Sequence, residues 1–103
     1  MDEEQIKKGQ RFRTRVEMEV LFLTSWYAPC TSGGRGKLAA GTVLVVDHDP
    51  MPQATGVACI PENYSEVERH LVSEKDRQTP RYSNFHLVMD LASLREECDR
   101  LSA

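Results

Sequence analysis

With 103 residues, of which 40% are apolar and 28% charged, the chain is sized for a single domain spanning residues 1–103 and not for two independent cores. No run approaches the roughly 20 apolar residues needed to cross a bilayer, and a formal charge of -3 gives no general attraction to nucleic acid or to an anionic membrane. Three widely spaced cysteines, Cys30, Cys59 and Cys98, argue against a disulfide framework; with the acidic opening MDEEQIKKGQ in place of a secretory signal, the expectation is a soluble cytoplasmic protein with free thiols.

From Phe12 the sequence alternates strictly. Phe12, Thr14, Val16, Met18, Val20 and Phe22 fall on one side, and Arg11, Arg13, Arg15, Glu17 and Glu19 on the other. Side chains of a strand point alternately to its two faces, so this rhythm predicts a strand with one buried and one charged face. The run from Gln10 to Thr24 exceeds ordinary strand length and is expected to bend or to divide. Ser25 to Lys37, SWYAPCTSGGRGK, combines a proline with three glycines and predicts a long loop carrying the only tryptophan.

A second strand is expected in Leu38 to Asp47, where Thr42 to Val46 is β-branched and apolar. Pro50 and Pro52 end it, and a third strand follows at Gly56 to Ile60. After Pro61, Ser65 and Glu68 have capping-box spacing, and Val67 and Leu71 share a face, so a short helix is predicted there. The polar run from Ser73 reads as loop, and Asn84 to Met89 as a fourth strand. The last segment, LASLREECDRLSA, sets Leu91, Leu94, Cys98 and Leu101 on one helical stripe, with Glu96 four positions before Arg100, which predicts a C-terminal amphipathic helix.

The element order predicts a mainly β (α+β) fold: a small bent antiparallel sheet, or a small barrel, with a short helix after the third strand and the C-terminal helix. A strand opening after Gly9, a long first loop and the following Gly-Thr-Val-Leu-Val-Val strand resemble an SH3-like barrel in outline. The resemblance concerns fold alone, because the acidic and aromatic loop signature of peptide-binding SH3 domains is missing.

Within the long loop, Trp26, Tyr27, Cys30, Arg35 and Lys37 form the candidate ligand or partner site, since aromatic residues on a scaffold-held loop suit recognition and Cys30 alone has a loop setting. The competing explanation for Trp26 is structural, as an anchor of the loop. Asp47-His48-Asp49 has the residue types of a metal site, yet strand alternation would turn His48 away from both aspartates and Asp49-Pro50 is a turn opener. No closely spaced cysteine pair supplies a zinc half-site, and Cys59 and Cys98 fall at apolar positions where inert thiols belong. The Gly33, Gly34 and Gly36 cluster lacks Walker spacing and leads into a strand, so it reads as a flexible loop tip. Arg11, Arg13 and Arg15 make a basic stripe that Glu17 and Glu19 interrupt.

These features favour a noncatalytic binding or protein-interaction module that uses the Ser25 to Lys37 loop on an unidentified protein or peptide, with homodimerisation through the C-terminal stripe or an open sheet edge compatible with it. No cofactor, metal ion or membrane is expected as a partner. The alternatives are a nucleic-acid-contacting barrel using Arg11, Arg13 and Arg15, and a small enzyme or metal protein using Cys30 or His48. No catalytic motif with a usable structural context appears.

Overall fold

A computed structural model describes residues 5–24, 33–78 and 85–101. The alternating run divides into β1 (Arg11–Thr14) and β2 (Met18–Leu23), with the break at residues 15–17. Its inward parity survives the break. Phe12, Thr14, Val20 and Phe22 are all buried, and Val16, in the link itself, turns outward to 45% exposure. The chain continues through β3 (Gly33–Leu38), β4 (Val43–Val46), β5 (Gly56–Pro61), α1 (Tyr64–Leu71), α2 (Glu74–Arg77), β6 (His86–Asp90), α3 (Leu91–Glu96) and β7 (Cys98–Leu101).

The seven described strands form one antiparallel sheet in the order β3-β2-β6-β5-β4-β1-β7. It is bent but not closed, because β3 and β7 remain at opposite ends. Four inter-strand steps separate β1 from β2 in this order, a span of roughly 19 Å on a flat sheet. The link from Thr14 to Met18 can reach at most about 14 Å when fully extended. The sheet must therefore curl, and the burial of one face from Phe12 through Leu44, Val57 and Leu87 marks the concave side.

A polar corner secures this bend. Thr14 is buried at the end of β1; its hydroxyl donates to the Ala39 carbonyl at 3.0 Å and accepts the Thr42 backbone N–H at 3.1 Å. Thr42 Oγ1 also donates to the Ala39 carbonyl, at 2.7 Å. Gly41 carries the turn between β3 and β4 at φ +88, where a Cβ would be strained, and its N–H reaches the Thr14 carbonyl at 2.8 Å. Next along the link, the Arg15 N–H donates to the Glu97 carbonyl at 2.9 Å.

One core fills the concavity. Phe85 packs on Phe22 and Tyr64 at centroid distances of 6.0 and 5.6 Å, and its N–H donates to the Tyr64 hydroxyl at 2.9 Å. Val67 of α1 and Leu94 of α3 belong to the same buried cluster as the sheet residues Leu44, Val46 and Leu87.

Several local expectations are corrected. The loop tip at Gly33 to Lys37 is strand β3, and Leu38 ends it instead of opening the next strand. The helix after the third strand begins one turn's edge earlier than the Ser65 capping box: Asn63 is its N-cap residue, with Asn63 Nδ2 donating to Glu66 Oε1 at 3.3 Å. The polar run from Ser73 contains α2, capped by Ser73 Oγ accepting the Asp76 N–H. The C-terminal helix forms only as far as Glu96. Cys98 and Leu101 then lie in β7, where four register pairs with β1 satisfy an edge that a longer helix would have left open. The stripe expected to run from Leu91 to Leu101 is thus split between a helix and a strand, and the Glu96 and Arg100 spacing loses its helical meaning. Arg100 instead lies over the Phe12 ring, 5.6 Å from its centroid. Among the described residues no helix is long and apolar enough to cross a membrane.

Candidate functional site

Of the loop residues singled out in the sequence, Trp26, Tyr27 and Cys30 lie outside the described residues. Arg35 and Lys37 stand on the solvent face of β3, where both are exposed. The strand is built in an unusual way. Gly34 and Gly36 take its inward positions, opposite Phe22 and Val20 of β2, while Arg35 and Lys37 oppose Leu21 and Glu19 on the outer side.

The glycines are there because neighbours use the space. A Cβ on Gly34 would approach the Phe22 ring to 3.2 Å, and one on Gly36 would collide with Cδ2 of Leu71, at the end of α1. Phe22 and Leu71 therefore supply the apolar cover that β3 lacks. Since β3 is the last strand of the sheet, alternate backbone N–H and C=O groups on its outer side have no strand partner among the described residues.

Beside this edge, β2 and β6 pair only from Leu21 with Val88 to Leu23 with His86. Toward Met18 the pairing with β2 ends, while Met89 and Asp90 remain paired with β5. The resulting notch encloses about 200 Å³ and is lined by residues that include Glu19, Leu21, Arg35, Val88, Asp90 and Glu97. A second, more open notch of about 330 Å³ lies between the Ala39 to Thr42 turn and Glu62, Asn63 and Glu66.

The arginine stripe of β1 is largely engaged. Arg11 Nε meets Glu62 Oε2 at 2.5 Å, and that hydrogen bond raises the Arg11 pKa and lowers the Glu62 carboxyl below its ordinary value. Both partners are well exposed, so solvent screens the pair. Arg15 sits 3.5 Å from the Asp99 carboxylate of β7 and donates a further hydrogen bond to the Glu96 carbonyl. Arg13 is exposed on the same face.

Asp47, His48 and Asp49 follow β4 instead of continuing it, so strand alternation does not apply to them. His48 Nδ1 stands 3.9 Å from Asp47 Oδ2, while Asp49 Oδ1 accepts the Lys8 backbone N–H at 2.8 Å and fixes a turn. Among the described residues, no three histidine, cysteine, aspartate or glutamate side chains are grouped to hold a metal ion. Cys59 and Cys98 are buried free thiols. Desolvation, the largest cause in each case, pushes Cys59 up to about 12 and Cys98 up to about 11, so neither offers a thiolate near neutrality.

The edge-strand character of β3 was the feature hidden from sequence reasoning. Its signal was the alternation Gly-Arg-Gly-Lys, a period of two in which glycine stands where an apolar residue is normally sought. Compared with known protein families, curated proteins and solved structures, the chain matches none of them.

Proposed function

We propose that this protein is a small noncatalytic interaction module whose working surface is the segment Ser25 to Lys37, of which residues 33–37 lie in β3. One observation carries the reading: the terminal strand β3 presents an outer edge with no strand partner among the described residues, and exposes Arg35 and Lys37 side by side on its solvent face. Edge strands of this kind bind extended peptides through main-chain hydrogen bonds, with side chains at alternate positions adding selectivity. Trp26 and Tyr27, in the chain just before β3, add aromatic contact area at low entropic cost.

A nucleic-acid surface on β1 has weaker support, since Arg11 and Arg15 are already paired with Glu62 and Asp99. Chemistry through Cys59 or Cys98 is disfavoured by their burial and raised pKa values. Two buried thiols that remain unpaired also suit a reducing compartment, which supports the reading of a cytoplasmic protein.

Selection of random linear peptides against the full chain tests the proposal. Recovered peptides should perturb backbone amide resonances of Gly34 to Leu38 and the indole resonance of Trp26. A footprint elsewhere on the protein, or failure to recover any peptide, overturns it.

A further inference from the structure

We propose that the outer edge of β3 takes an extended acidic peptide segment as an additional antiparallel strand, its carboxylates facing Arg35 and Lys37 and its intervening apolar side chains lying beside Leu71. This rests on the interaction-module reading and names the chemistry of the partner. The two sides of β3 differ in a way that dictates an alternating partner. On the solvent face the only side chains are cationic, two positions apart, the spacing at which successive same-face residues of an added strand fall opposite them. On the inner face β3 contributes Gly34 and Gly36, and the atoms nearest those bare positions belong to Phe22 and Leu71. A partner that alternates acidic with β-branched residues satisfies both faces.

Charge also disfavours the simplest competitor, a second copy of this chain, in the registers that centre on the cations. Two β3 strands related by a two-fold axis pair antiparallel, and the residue on the axis sets the register. With Arg35 on the axis arginine faces arginine, with Gly36 on it Arg35 faces Lys37, and with Lys37 on it lysine faces lysine. Each of these three registers opposes like charges, which is destabilising across a pair. Within the sheet, Glu19 stands opposite Lys37 and Leu21 opposite Arg35, and Glu19, Asp90 and Glu97 line the notch together with Arg35, so both cations share their field with carboxylates of this chain.

The test uses isotopically labelled full-length protein and a blocked nonapeptide alternating valine with glutamate. Control peptides carry lysine in place of glutamate, or N-methyl groups along one backbone edge. We expect amide shifts concentrated at Gly34 to Leu38, loss of binding on N-methylation, and affinity about tenfold weaker for the Arg35→Glu/Lys37→Glu variant at low ionic strength. Thermal unfolding checks that this variant, altered only at exposed positions, remains folded. Equal binding of the lysine peptide would overturn the acidic assignment while leaving the interaction module standing. The absence of any β3 footprint, with the cations serving only to blunt the sheet edge, would overturn both, and concentration-dependent self-association through β3 would replace the peptide by a second copy.

Discussion

Thr14→Val separates the two forces that hold the corner between β1 and the β3-β4 turn. Valine matches threonine in shape, and Thr14 is 1% exposed, so apolar burial alone predicts a neutral or stabilising change. Hydrogen bonding predicts the opposite. The Thr42 N–H loses the hydroxyl that accepts it at 3.1 Å and becomes a buried unsatisfied donor, which costs about 1–3 kcal/mol. The Ala39 carbonyl keeps its second donor, Thr42 Oγ1 at 2.7 Å, so its loss is smaller. Allowing for the added methyl, the net destabilisation should be about 1–2 kcal/mol. With a urea m-value of about 1 kcal/mol/M for a domain of this size, the midpoint should fall by about 1–2 M at unchanged m. Thr14→Ser, which retains the hydroxyl, should preserve hydrogen-exchange protection of the Thr42 amide, whereas Thr14→Val should lose it. A Thr14→Val midpoint at or above that of the parent protein would refute the reasoning.

Leu94→Ala removes a side chain with 0% exposure between α3 and the sheet, and should lower stability by about 2–5 kcal/mol in the same assay. Gly36→Val, which drives a side chain into Leu71, should cost about 1–3 kcal/mol, and part of that loss should return in the Gly36→Val/Leu71→Ala double variant measured as a thermodynamic cycle. Cys59 and Cys98 have native pKa values raised to about 12 and about 11 from 9.0, so the folded state holds protons that the unfolded state releases. Their contribution to stability is complete below pH 9 and declines as pH rises through the folded values, which denaturant midpoints between pH 8 and 11 should register as a fall. Peptide-level mass spectrometry after alkylation of native protein at pH 8 should find both of these cysteines unmodified.

The β-rich class was legible because its signals are local. Alternation from Phe12 to Phe22 gave the correct inward parity, and the β-branched run at Thr42 to Val46 and the prolines after it located β4 and its end. What misled was information held by distant residues. Glycine in β3 reads as a loop until Phe22 and Leu71 are known to occupy the missing volume. The terminal stripe reads as helix until β1 is known to present an open edge, since Leu91, Leu94, Cys98 and Leu101 satisfy helical spacing equally well. Arg35 and Lys37 were singled out as loop residues; their placement together on an exposed strand face follows from the same hidden alternation.

The pairing of β1 with β7 bears on how the chain comes into being. β1 is synthesised well before β7, so at about 5–20 residues per second several seconds pass before the ribosome delivers the second neighbour of β1. For that interval one edge of β1 has no strand partner. Arg11, Arg13 and Arg15, the very residues that first suggest nucleic acid, line that strand with like charges, a pattern that discourages edge-to-edge pairing between identical molecules.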